Sequence, residues 1–252
     1  MKKAIILCMS CNIERYINEE HIIRKTWGKK IIEGKYDNIE LLFYRGNSDE
    51  IFIDDKNVLH LVSDDSYSGT FIKTKDALKW CLENKEFDYI IRTNTSTYIN
   101  IDAIEQFLKL EDIKEDVLYG PHMTVDCVYN NLTYLGGHFL IIPKNMVDII
   151  TKYNVKEGFV DDVGIGAIIY THFGQNKMMD HMLEVDNINS LKKPYLDSLY
   201  KSYCVRVKDE ENLENNVINM IGLHFLYKNI KTEINIPHKF TKVFTSYGQI
   251  PI

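Results

Sequence analysis

The sequence predicts an α/β fold built on a mostly parallel sheet, and three features carry that prediction. Short continuous apolar runs, bounded by polar or turn residues, recur over about the first 110 residues. Segments with helical periodicity lie between them, the alternation expected of a parallel sheet. No internal repeat or low-complexity tract interrupts the 252 residues, so they read as one domain.

The expected strands are Ala4–Cys11, Ile39–Tyr44, Val58–Val62 and Tyr89–Thr93. Between the last two, Phe71, Thr74, Leu78 and Cys81 recur at the helical period and place a helix between Gly69 and Lys85. Asn100 can cap a helix whose apolar face is Ile101, Ile104, Phe107 and Leu108. Pro143 suits the first turn of a helix carrying Met146, Ile149 and Ile150. After about residue 180 the pattern weakens: LEVDNINSLKKPYLDSLYKSYC and VKDEENLENN read as loops and a polar connection, and VINMIGLHFLYK as a further buried element. Ligands of parallel sheets bind beyond the carboxyl ends of the strands, which is where RTNTSTYIN (92–100) stands.

The chain is 45% hydrophobic and 26% charged, enough for one sizeable core. A net charge of −6 argues against a nucleic-acid surface, and the pairs Lys29–Lys30 and Lys192–Lys193 read as solvated faces. The 16 tyrosines lean toward flat polar ligands such as sugars or bases, although tyrosine also packs in cores. Five scattered cysteines suggest no disulfide framework, and Cys8–Cys11 is a lone C-x-x-C with no second pair to complete a zinc site. The sequons at Asn94 and Asn131 carry no weight without a secretion signal. The apolar run from Ala4 to Met9 is too short for a signal peptide, and no stretch nears the roughly 18–20 apolar residues that span a bilayer. The expectation is a cytoplasmic protein with at most peripheral membrane contact.

Four stretches carry candidate chemistry. HIIRKTWGKK holds Arg24, Thr26 and Trp27, and equally suits a helix packed under a snorkelling Arg24. LVSDDSYSGTFIKTKDALKW holds Asp65, Tyr67 and Lys73. RTNTSTYIN holds Arg92, Asn94 and Ser96, which alone would suit a polar turn closing a strand. The fourth pairs YLGGHFLIIP with GFVDDVGIGAIIY: Gly136 and Gly137, followed by His138, let backbone approach a ligand, and Asp161–Asp162 stand at a helix start, where capping is the plain alternative.

In this order the stretches resemble the β-1,3-galactosyltransferase and Fringe-like enzymes of glycosyltransferase family 31. The I-R-x-T-W-G signature of that family is met by Ile23–Gly28, D-S-Y by Asp65–Tyr67, and K-T with a later Trp by Lys73, Thr74 and Trp80. Its K-T-D-D-D-x-F-x-N stretch is met by Arg92–Asn100, Y-x-G-G by Tyr134–Gly137, and E-D-V-x-x-G by Asp161–Gly166. The resemblance covers roughly residues 4–170.

It implies a GT-A fold, with a Rossmann-like nucleotide-sugar-binding half over about 1–110 and an acceptor-binding and catalytic half over about 111–252. The implied reaction is an inverting, β-1,3-type transfer from a nucleotide sugar, usually a UDP-sugar, to a glycan or lipid-linked glycan hydroxyl, as in polysaccharide biosynthesis. Asp162 aligns with the family's base and Asp161 stands beside it. Arg24, Asp65, Tyr67, Lys73, Arg92, Asn94 and Ser96 fall to the donor, and Gly136, Gly137 and His138 to donor or acceptor sugar. Where the family has D-D-D this chain has Asn94-Thr95-Ser96, and neutral oxygens are poor ligands for Mn²⁺ or Mg²⁺. Three readings stay open: cationic side chains (Arg92, Lys73, Arg24) replace the metal; His224 and the diphosphate hold a weak one; or the chain only binds nucleotides or carbohydrates.

Overall fold

A computed structural model of the chain describes residues 1–111, 113–125, 132–153, 160–173, 178–181, 203–208, 215–229 and 240–242. Asn131, Lys192–Lys193 and nearly all of the loop read at 183–204 lie outside these residues.

The chain runs β1 (Ala4–Met9), α1 (Glu14–Lys25), α2 (Lys29–Ile32), β2 (Ile39–Arg45), β3 (Phe52–Ile53), β4 (Val58–His60), α3 (Thr70–Asn84), β5 (Tyr89–Asn94), β6 (Thr97–Ile99) and α4 (Ile101–Leu108). It continues through β7 (Leu118–Gly120), β8 (His122–Val125), β9 (Leu132–Leu135), β10 (Phe139–Pro143), α5 (Lys144–Lys152) and α6 (Asp161–Phe173). The last described elements are β11 (Met178–His181), β12 (Cys204–Arg206), α7 (Asn215–Asn229) and β13 (Phe240–Lys242). Nine strands form one sheet in the order β13-β11-β7-β10-β5-β1-β2-β4-β3, while β12 pairs with β6 and β8 with β9.

The centre of the sheet, β5-β1-β2-β4, is parallel, and β10 joins β5 antiparallel. The apolar runs are continuous because both faces are covered. Along β1, Ala4, Ile6 and Cys8 enter one core layer with Ile23, Phe107 and Leu223. Ile5 and Leu7 enter the other with Phe71, Leu78, Met146 and Ile168. Helices α1, α4 and α7 therefore close one face and α3, α5 and α6 the other; α4 and α5 each bury an apolar stripe, whereas α6 is buried all round from Gly164 to Ile169.

Several boundaries differ from expectation. β1 stops at Met9, freeing Ser10 and Cys11. β4 spans only three residues and leaves Val62 exposed. Asn100 caps α4 as expected, its side chain accepting from the Ala103 amide. Pro143 is the extended N-cap of α5 and ends β10 rather than entering the first turn. VINMIGLHFLYK belongs to α7. Within the expected loop and polar connection, Cys204–Arg206 form a strand, because CVRVK alternates apolar and basic residues.

Candidate active site

Strand order decides where the site can lie. From β1 the chain winds one way through β2 to β4, then returns to β5 on the other side of β1. The carboxyl ends of β1 and β5 flank this reversal, the crevice where open α/β sheets bind ligands. Met9 lies abreast of Asn94, so both strands stop at one level. A cleft of about 520 Å³ opens there, reached by Ser10 and Cys11 after β1 and by Asn94, Thr95 and Ser96 after β5.

Asp161 and Asp162 form its far wall, in the first turn of α6. Asp162 is oriented by two amides: its Oδ2 accepts from Gly137 N at 3.0 Å and its Oδ1 from Val163 N at 2.8 Å. The approach of the 136–137 backbone requires glycine, since a Cβ on Gly137 would stand 2.9 Å from Asp162 Cβ and 3.0 Å from Arg92 Nη1. Asp161 pairs with Arg92 Nη2 at 2.5 Å, both side chains almost fully buried. Burial pushes Asp161 up to about 6 against the pull of Arg92, with the charge of Asp162 adding to the rise. Burial acts to lower Arg92, but Asp161, Tyr44 and Asp162 outweigh it and hold the guanidinium charged. Arg92 Nε and Nη1, and Asn94 Oδ1, are buried at the cleft and have no hydrogen-bond partner among the described residues.

Lys73 is displaced from its expected role. It lies wholly inside, donating to Asp65 Oδ1 at 2.5 Å and to the Ser10 carbonyl at 2.9 Å, and it does not line the cleft. Asp65 also accepts from Gly46 N and Asn12 N, so the pair ties together the loops after β1, after β2 and before α3. Burial would raise Asp65, but Lys73 and these two amides hold it below the usual carboxylate range. Tyr67 is an exposed residue of the rim. Arg24 is a second departure: its guanidinium lies 4.5 Å over the Phe43 ring, away from the cleft, the packed arrangement that HIIRKTWGKK also allowed.

The remaining expected residues divide in the same way. Gly136, Gly137 and His138 line the cleft, and the His138 carbonyl accepts from Thr93 Oγ1 at 2.8 Å and Thr97 Oγ1 at 3.2 Å. His224 does not line it; its Nδ1 lies 3.2 Å from the Tyr98 hydroxyl behind β6. The donor set does not fit a hard dication. Asn94 and Ser96 supply neutral oxygens, and the Thr95 hydroxyl is committed to Glu19. Among the described residues no group of three or more His, Cys, Asp or Glu is placed to hold a metal ion.

Glu19, Arg206 and Lys208 were not legible as site residues. Glu19 on α1 is buried beneath the 94–96 turn, its Oε2 accepting from Thr95 Oγ1 and its Oε1 from Asn216 Nδ2 at 2.9 Å. Arg206, at the end of β12, and Lys208, two residues beyond it, line the cleft; the period-two alternation of CVRVK was the signal available for them.

No protein family and no curated protein matches the sequence. Among solved structures, the chain is similar to a glycosyltransferase involved in glycosylation of the major capsid of PBCV-1, with TM-score 0.51 and 11% identity over 87% of this chain and 99% of that one. It also matches the galactosyltransferase LgtC in complex with donor and acceptor sugar analogues, with TM-score 0.48 and 10% identity over 93% and 98% of the two chains. A197 from STIV matches with TM-score 0.37 and 11% identity, over 71% and 81%. The core order, the cleft at the β1–β5 reversal and the first of these likenesses together show that this chain has the GT-A fold.

Proposed function

We propose that the protein is an inverting glycosyltransferase that uses a nucleotide sugar, a UDP-sugar on the family 31 resemblance, and a glycan or lipid-linked glycan hydroxyl. The observation that supports this reading best is the Asp162 carboxylate, held by the Gly137 and Val163 amides at the wall of the switch-point cleft. Asp162 takes the proton of the acceptor hydroxyl while that oxygen attacks the anomeric carbon. The bond from that carbon to the diphosphate oxygen breaks on the opposite face, and the nucleoside diphosphate leaves with the electron pair. One displacement inverts the anomeric centre, and the resemblance points to a β-1,3 linkage.

The Arg92–Asp161 pair anchors the first turn of α6 to β5 and so keeps Asp162 in place. The unpartnered Asn94 Oδ1 is an acceptor for a ribose hydroxyl. In this reading the transfer does not depend on a metal bound at the 94–96 turn, whose neutral oxygens do not fit one.

The test is turnover of a panel of nucleotide sugars with glycan acceptors, followed by nucleotide release. Asp162→Asn, which removes the proton acceptor and keeps the shape, is expected to cut turnover at least about a hundredfold, with donor affinity nearly unchanged. Equal loss of donor affinity would instead make Asp162 structural, and no release with any donor would count against an enzyme.

A further inference from the structure

β3 ends the nine-stranded sheet, and among the described residues its outer side pairs with no strand. Its inner side is fixed by register, with Phe52 opposite His60 and Ile53 opposite Leu59. The Asp54 amide donates to the Val58 carbonyl at 3.0 Å. Pairing alternates along an antiparallel ladder, so Phe52 turns its backbone groups toward β4 while Ile51 and Ile53 turn theirs outward. The side chains are as open as the backbone. Ile51, Phe52 and Ile53 are 38–53% exposed, and Val62, shortly after β4, is 56% exposed. Nowhere else among the described residues do three large apolar side chains stand exposed in a row. Leu59 is buried in the core layer that holds Phe71 and Leu78 of α3, so the apolar face of the sheet runs on past its last strand. Such an edge is a template for one more strand.

The flanking charges decide which strand fits. Asp49 and Glu50 precede the apolar triad and Asp54 and Asp55 follow it, with Lys56 beyond them. Asp54 is committed to the hairpin: its Oδ1 accepts from the Lys56 amide at 3.0 Å and the Val58 amide at 2.8 Å, and its Oδ2 lies 3.3 Å from His60 Nε2. Asp49, Glu50 and Asp55 are exposed and hold no ion pair or hydrogen bond through their carboxylates among the described residues. A second copy laid antiparallel about Phe52 matches triad to triad, but sets Asp49 opposite Asp55 and Glu50 opposite Asp54. Like charges directly opposite are destabilising, so the acids guard this edge against self-pairing. They repel nucleic acid and anionic lipid in the same way. A basic polypeptide meets the carboxylates with charge complementarity and the triad with apolar side chains.

We infer that β3 is a docking strand for another protein: an extended segment, apolar at its centre and lysine- or arginine-rich at both ends, adds to the sheet beside Ile51–Ile53. The inference does not depend on the transferase reading.

Fluorescence anisotropy of the full chain with the labelled peptides KKVTVTVKK and EEVTVTVEE tests it. Wild type is expected to bind the basic peptide at least about tenfold more tightly than the acidic one, and high salt to erode that preference. Glu50→Lys combined with Asp55→Lys should weaken the basic peptide and strengthen the acidic one. Ile53→Pro removes an outward N–H and leaves the pairing with β4 intact. It should weaken the basic peptide at least about tenfold, with a melting curve close to that of wild type. Ile51→Ser should weaken it about three- to tenfold through lost apolar contact. Equal binding of the two peptides, binding of neither, or unchanged affinity in the charge-reversed or the proline variant overturns the docking strand. A dimer in sedimentation velocity that Phe52→Asp abolishes also overturns it, because a second copy is then the occupant. Should Ile53→Pro melt early, the charge-reversed variant decides alone.

Discussion

Arg92 and Asp161 pose the sharpest question at the scale of single residues, because both are buried and each is tolerable only through the other. Removing one partner strands a charge in the core. Arg92→Met is expected to cost about 3–5 kcal/mol in chemical denaturation, Asp161→Asn clearly less because the buried carboxyl already takes up a proton more readily than in water, and the double variant less than the sum. The same pair sets a pH dependence. Asp161 titrates at about 6 because burial and Asp162 outweigh Arg92. Above that pH it is ionised and its charge is matched by the guanidinium. Below it the carboxyl gains a proton, and Arg92 turns its unmatched charge on Asp162. The kcat/KM of transfer is therefore expected to fall as pH drops through about 6, and Asp161→Asn to lack that limb. A flat profile in wild type from pH 5 to pH 8 would contradict it.

Among the elements, α1 has a role that its sequence does not advertise. Glu19 projects from it beneath the β5–β6 turn and takes hydrogen bonds from Thr95 and from Asn216 on α7. One buried carboxylate thus links three elements on one face of the sheet. Glu19→Ala removes the acceptor of two buried hydrogen bonds, an expected loss of about 2–4 kcal/mol, and it frees the turn beside the cleft. Thr95→Val keeps the shape and removes one donor, so its loss should be clearly smaller, and equal losses in denaturant melts would argue against the clamp. Helix α6 is fixed differently. A Cβ at Gly164 would lie 2.4 Å from Phe71 Cδ2, so only glycine lets α3 and α6 meet closely enough to bring Asp161 and Asp162 to the sheet edge.

At the scale of the whole molecule, the described core is two apolar layers sharing one sheet, and the cleft is built from both halves of the chain. A ligand that spans Ser10, Asn94, Asp162 and Arg206 contacts residues far apart in sequence, so binding and global folding should be linked. UDP at about 100 times its dissociation constant is expected to add about 2.7 kcal/mol. That would raise a single melting transition by roughly 5–10 °C. Two transitions, with only one moved by UDP, would show that the halves unfold separately.

Much of this architecture was legible in particular residues. The strands at Ala4, Ile39, Val58 and Tyr89, the α3 stripe of Phe71, Leu78 and Cys81 and the Asn100 cap all follow from local rules, because burial on two faces or one stripe is written in the spacing of apolar residues. The position of Asn94–Ser96 at a strand end, and of Asp161–Asp162 at a helix start, was likewise readable. Sequence order could not say which cation faces the cleft. Arg92 reaches the cleft as its motif suggests, but Lys73 and Arg24 are directed to Asp65 and to Phe43, while Arg206 and Lys208, over a hundred residues later, arrive through the pairing of β12 with β6 and the Val207–Ser96 bond beyond it. The sequence by itself determined the alternation of strands and helices and the absence of carboxylates from the 94–96 turn. Only the tertiary structure decided that Lys73 pairs with Asp65 and Arg92 with Asp161, and which side chains line the cleft, because pairing depends on distance and burial in space, and neither is encoded in any local run of residues.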